Sequence, residues 1–185
     1  MGQYYKVIIL ADEKIDGKEY IRAWINPSDY GNGMKLMEHS YVGNKFVGHV
    51  ESLIRPEGIL YKSRIVWAGD YADAEFDLEH ISDRDENLYN LAPEDRVLNG
   101  EINAEYKEKP YRYIVNHTKK QYTDKNGRHF HPLPLLTAEG NGRGGGDYRG
   151  LEEKQIGIWA RDVISVEKTV PERYEKLELT FGLIG

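Results

Sequence analysis

The chain contains no cysteine among its 185 residues. Disulfides, thiolate catalysis, iron–sulfur clusters and cysteine zinc sites are therefore excluded. It has no apolar run approaching a membrane span, and its N-terminus lacks the basic-then-apolar order of a signal peptide. A soluble, cytoplasmic protein without membrane contact is expected. Positive charge is in deficit: 25 Lys and Arg face 31 Asp and Glu, for a formal net charge of −6. Sequence-independent nucleic-acid binding releases counterions at a basic surface, so no direct nucleic-acid contact is expected. An acidic surface suits a basic protein partner instead. Phenylalanine is scarce, four against 14 tyrosines. Tyrosine joins an apolar body to a polar tip and suits half-buried sheets and binding surfaces.

What is present reads as an α+β domain, mainly antiparallel sheet with one main helix, over residues 1–185. Tyr4 to Leu10 and Glu19 to Ile25 are β-branched and aromatic and predict a hairpin turning at Asp16-Gly17. Met34 to Tyr41 fits a strand or a helical turn. Phe46, Val47, Val50, Leu53 and Ile54 fall at helical spacing, with Asn44 as N-cap and Pro56-Glu57-Gly58 as stop, predicting a helix over 45–54. Tyr61 to Ala68 predicts a strand. Residues 73–109 turn acidic and polar with thin apolar content, and read as a partly helical, mobile insertion within the domain. Tyr111 to His117 predicts a strand that Gln121 to Thr123 continues or pairs with, and Asn126-Gly127 a hairpin turn into a further strand from Arg128 to Thr137. Pro132 and Pro134 place that strand at an edge or a bulge. Gln155 to Ala160, Val163 to Glu167 and Lys176 to Phe181 complete the expected strands.

The most unusual stretch is Ala138 to Tyr148, with five glycines in the seven positions 140–146. So many glycines form neither a packed strand nor a stable helix. They allow close backbone approach, to a ligand or to another part of the chain, and both readings stay open. The literal G-x-G-x-x-G match at Gly140–Gly145 lacks the following helix of a dinucleotide site, and no Lys-Ser/Thr pair makes it a phosphate loop. Consecutive glycine N–H groups can still form an anion-binding nest, with Arg143 and Arg149 reaching a phosphate. Gly-Asp-Tyr occurs at 69–71 and 146–148. Asp70 and Asp147 could act as an acid–base or Mg²⁺-holding pair, or as strand-end turns whose carboxylates accept backbone N–H bonds, the reading preferred here. His129 and His131 share a strand face at metal-site spacing, with His117 as a third candidate, yet no carboxylate pattern completes the set. Glu38-His39 offers a base pairing against a hydrogen-bonded core role. Trp24, Trp67 and Trp159 are expected in the core. No G-x-S-x-G, H-E-x-x-H or EF-hand pattern occurs, and neither cofactor nor metal is expected.

The stretches Met1-Gly2-Gln3-Tyr4-Tyr5-Lys6, Tyr30 to Tyr41 (YGNGMKLMEHSY), Arg64 to Asp73 (RIVWAGDYAD) and Gly140 to Tyr148 (GNGRGGGDY) resemble a family of short bacterial proteins. That family is scattered through gut Firmicutes, actinobacteria and their phages and mobile elements. The resemblance carries no activity of its own. By genomic company it implies the anti-CRISPR-like inhibitors of defence nucleases, or traps for signalling nucleotides. The first expectation is thus a non-catalytic inhibitor that occupies a basic partner, a defence nuclease of the CRISPR type. Its contact residues are Asn141, Arg143, Gly144, Gly145, Asp147, Tyr148 and Arg149 with Asp70 and Tyr71, flanked by the acidic insertion. The alternative is a site that binds or processes a nucleotide-like phosphate, with Arg143 and Arg149 on the phosphate and Asp70 and Asp147 near the reacting centre. A purely structural role is the third.

Overall fold

The computed structural model describes residues 3–75, 87–140 and 154–181. Its centre is β1 (Tyr5–Leu10), which pairs antiparallel with β2 (Ile21–Ile25) on one side and β3 (Ser63–Gly69) on the other. The hairpin turns at Asp16 and Gly17, both at positive φ (52° and 75°), the conformation for which Asp-Gly is suited. The sheet continues through β7 (Val163–Glu167), β4 (Tyr113–Asn116), β5 (Gln121–Asp124) and β8 (Glu175–Lys176). β6 (Ala138–Glu139) lies off this path and runs parallel to the end of β3, with Trp67 opposite Ala138 and Ala68 opposite Glu139. The architecture is α+β with a mainly antiparallel sheet, as expected.

β1 is apolar almost throughout because both of its faces are covered. Tyr5, Val7 and Ile9 face the larger core, to which α2 (Lys45–Ile54) contributes Phe46, Val47, Val50 and Ile54. Ile8 and Leu10 face the other way, into a second cluster with Trp24, Val66 and Leu88. Asn44 caps α2: its Oδ1 accepts the Val47 N–H at 2.9 Å, and its Nδ2 donates to Asn32 Oδ1 and the Glu38 carbonyl, each at 3.0 Å. The short helix α1 (Leu36–His39) resolves the Met34–Tyr41 ambiguity as a helical turn.

Several expected elements differ. Arg128–Thr137 is no strand: Pro132–Thr137 forms helix α4. The first N–H groups of a helix have no internal partner, so prolines at its first and third positions cost no hydrogen bond. His131 caps it by accepting the Leu133 N–H on Nδ1 at 3.1 Å. Asn126-Gly127 does turn the chain, with Gly127 at φ 73°, but into the approach to α4; the hairpin here is β4–β5, closed through Lys120 at φ 54°. Residues 155–160 form turns about Gly157 (φ 82°) and hydrogen-bond to the Leu135 and Leu136 carbonyls. At the C-terminal end only Glu175–Lys176 joins the ladder; Leu177, Leu179 and Phe181 still alternate inward. The 73–109 segment is more than a solvated insertion. Helix α3 (Leu88–Leu91) and the residues after it cover the second face of the sheet, and the Trp24 indole donates to the Pro93 carbonyl at 2.6 Å.

Candidate functional site

β6 delivers the chain to Gly140, the root of the glycine-rich stretch, beside the end of β3. The backbones come so close that a Cβ on Gly69 would lie 2.9 Å from the Glu139 carbonyl and 3.0 Å from Tyr5, so only glycine fits there. Next to this crossing is a hollow of about 350 Å³ whose charged lining is Lys14, Glu19, Arg64, Asp73, Glu75, Glu139 and Arg161, with Gly140 on its wall. A second hollow of about 300 Å³ adjoins it, sharing Glu19, Glu75 and Arg161 and reaching Tyr20, Leu88 and Arg96.

Arg161 is the hub of this region. Its Nη1 and Nη2 donate to the two Glu75 oxygens, both at 2.7 Å. Its Nε and Nη2 donate to the two Glu139 oxygens at 2.6 and 2.7 Å. A longer contact of 3.5 Å reaches Glu19. Glu19 is itself gripped by both terminal nitrogens of Arg64, at 2.9 and 2.7 Å. Burial opposes the charge on Arg161, but the hydrogen bonds from Glu139 and Glu75 outweigh it and raise the pKa further above its ordinary value. Burial likewise works against the Glu19 carboxylate, and the Arg64 hydrogen bonds and charge overcome it, holding the pKa below the usual range. Arg161 has φ 71°, a left-handed backbone that disfavours a side chain, yet a four-bond guanidinium stands there. The hub ties together the hairpin through Glu19, the chain leaving β3 through Glu75 and the root of the glycine stretch through Glu139. Both guanidinium groups are committed to carboxylates, and Lys14 stands in the same lining, so four carboxylates face three positive groups. The lining keeps one carboxylate in excess, which favours a cation over an anion.

Of the residues singled out from the sequence, Asn141, Arg143, Gly144, Gly145, Asp147, Tyr148 and Arg149 lie outside the described residues. Asp70 exchanges hydrogen bonds with Tyr4: its backbone N–H donates to the Tyr4 carbonyl at 2.9 Å, and its carboxylate accepts the Tyr4 N–H at 3.0 Å. Tyr71 is half-buried in the turn that follows. The three histidines are not brought together. His129 is exposed, its ring against Phe130; His131 is buried as the α4 cap; His117 bonds Tyr174 and Ser165. His39 is a core group, and Trp24, Trp67 and Trp159 are buried.

The Ser165–His117 contact of 2.7 Å invites comparison with a serine nucleophile. The Ser165 hydroxyl, however, donates to Glu167 at 2.6 Å, so His117 Nε2 must donate to Ser165 rather than take its proton. Ser165 is also fully buried. Burial, with the Lys62 charge, lowers the His117 pKa to about 4. The chain of bonds runs the wrong way for attack and reads as a structural relay.

A further cluster joins Glu51, Glu108 and His131, whose ligand-type atoms lie within 4.8 Å of one another. It fits a metal ion poorly. Lys125 Nζ already donates to Glu51 and, at 3.1 Å, to Glu108. His131 accepts the Leu133 N–H on Nδ1, which leaves its own proton on Nε2, the nitrogen a metal would need bare. None of Glu19, Glu75, Glu139, Arg161, Glu51 or Lys125 stands in a recognisable motif; each is an isolated charge whose partners lie far along the chain. No protein-family model, curated protein or solved structure matches this chain.

Proposed function

We propose that the protein acts without catalysis, by binding and occupying a basic protein partner, in the manner of phage and mobile-element inhibitors of host-defence nucleases. The observation that carries this reading is the hollow at the root of the glycine-rich stretch. There Glu19, Asp73, Glu75 and Glu139 converge with Lys14 and the engaged Arg64 and Arg161, leaving one negative charge in excess. Carboxylates pinned in advance by hydrogen bonds lose little freedom when a partner's lysine or arginine arrives. The adjoining hairpin presents Ile15 and Tyr20, 56% and 39% exposed, as apolar contact beside the acidic hollow. Asn141, Arg143, Gly144, Gly145, Asp147, Tyr148 and Arg149 follow directly from Gly140 and extend the proposed contact, with Asp70 and Tyr71 at the neighbouring strand end.

The test is titration of the purified protein against a panel of CRISPR effector nucleases, reading DNA cleavage and complex formation by size-exclusion chromatography. A stoichiometric complex with one member, blocking cleavage at low salt and weakening as salt rises, is the expected result. An Asp73→Asn/Ile15→Ser variant should bind more weakly while keeping its melting temperature. If every nuclease cuts at its full rate in a molar excess of this protein, and none co-elutes with it, the reading is wrong.

A further inference from the structure

On the α2 side of the sheet lies another cavity, of about 390 Å³, between the first turns of α2 and residues 102–108. Gly48, His49, Ile102, Ala104, Tyr106 and Glu108 line it. Gly48 sits inside a helix, where glycine is destabilising relative to alanine. A Cβ there would meet no atom within 4 Å, so packing within the chain does not require glycine. At the inner end, Glu108 shares Lys125 with Glu51, and both Glu51 and Lys125 are buried. Glu51 is 0% exposed, and its Oε2 has no hydrogen-bond partner. The hydroxyl of Tyr106 is likewise buried without a partner.

The charges do not balance. Two carboxylates face one ammonium, while His131 Nδ1 accepts the Leu133 N–H and its Nε2 stands 3.5 Å from Glu51. Arg55 lies over the Tyr106 ring at 5.3 Å but stands 3.6 Å from Glu57, an acidic residue of its own. Lys45 is exposed on the rim. Lys125 pairs more closely with the buried Glu51, so the carboxylate left short of counter-charge is Glu108 on the cavity wall, and a cation entering from the cavity would supply it.

We propose that this cavity binds an organic cation with a guanidinium or primary ammonium head on a short aliphatic stem. The head bonds Glu108, while the stem lies along Gly48, Ile102 and Ala104. Tyr106 stays a neutral phenol there, because burial and then the charges of Glu51 and Glu108 raise its pKa. The same chemistry is carried by a free amine and by an arginine side chain of a protein, and the experiment separates the two. The site shares no residue with the Arg161 hub, so neither reading depends on the other.

The experiment is thermal-shift and calorimetric titration with agmatine and with the blocked tripeptide acetyl-Gly-Arg-Gly-amide, using sodium chloride at equal ionic strength as control. A saturable rise in melting temperature with at least one probe is expected. A stronger response to agmatine marks a free amine as the source, and a stronger response to the peptide marks a side chain. Gly48→Leu, which fills the cavity, and Glu108→Gln, which removes the charge from a partly exposed wall, should each reduce binding at least tenfold. Gly48→Ala should retain it. If Gly48→Leu does not fold, calorimetry on Glu108→Gln decides. No response to either probe, an undiminished response in Glu108→Gln, or a response to Mn²⁺ or Zn²⁺ alone overturns the proposal.

Discussion

At His39 both ring nitrogens are committed: Nδ1 accepts the Trp67 indole N–H at 3.0 Å, and Nε2 lies 2.6 Å from the Gly33 carbonyl, to which it donates. A proton on Nδ1 would break the Trp67 bond. Burial, only partly opposed by the Gly33 bond, lowers the pKa to about 4. The unfolded chain then takes up a proton near pH 6.5 that the folded protein refuses, so stability rises with pH across this interval. Full stability is expected above about pH 6.5, with a loss of about 3 kcal/mol by pH 4 from this residue. Urea denaturation at a series of pH values checks it, and a flat profile between those limits would contradict a neutral His39. Lys125 obeys the same logic of buried groups. Lys125→Met leaves Glu51 and Glu108 unpaired and should cost about 3–5 kcal/mol. Adding Glu51→Gln to that variant should restore part of the loss, a non-additivity that denaturant midpoints can read. Neither environment is visible in a linear string. His129 and His131 looked equivalent there, two residues apart, and the fold exposes one and makes the other a helix cap.

At the scale of elements, helices and strands with strong local signals came through. The 45–54 helix, its Asn44 cap, the Asp16-Gly17 turn and the first hairpin follow from spacing and turn chemistry alone. Asn44→Ala should destabilise by about 1–2 kcal/mol, the range for a lost N-cap, since it also frees Asn32 and the Glu38 carbonyl. Gly48→Ala should raise stability by up to about 1 kcal/mol, because helix propensity improves and no neighbour is struck. Thermal unfolding of the two variants would show shifts of opposite sign; a destabilised Gly48→Ala would mean that the space beside α2 is smaller than described. Where local signals were ambiguous, context decided. Pro132 and Pro134 are compatible with an edge strand and equally with the first turn of a helix, and the His131 cap selects the helix. Residues 155–160 are apolar enough for a strand, but Gly157 bends them against α4 instead of into the ladder.

For the whole molecule, the Arg161 hub is a tertiary fastening outside the two cores. It joins residues 19, 75, 139 and 161, which no local pattern relates. Arg161→Met would leave Glu19, Glu75 and Glu139 facing one another and should cost about 3 kcal/mol, the low end for breaking a buried pair. Arg161→Lys should recover little of it, since an ammonium cannot span two carboxylates in bidentate fashion. Melting temperatures of the two variants test this, and a lysine variant as stable as the parent would show that charge alone suffices. The sequence by itself determined the α+β class, the first hairpin, the main helix and the acidic balance. These depend on periodicity and composition, which act between near neighbours in the chain. Only the tertiary structure decided that β6 runs beside β3, that residues 87–98 cover the second face of the sheet, and that isolated charges gather into the hub and the Glu51–Lys125 cluster. Those outcomes depend on pairing energies between groups up to 142 positions apart, which become favourable only once the cores have excluded water.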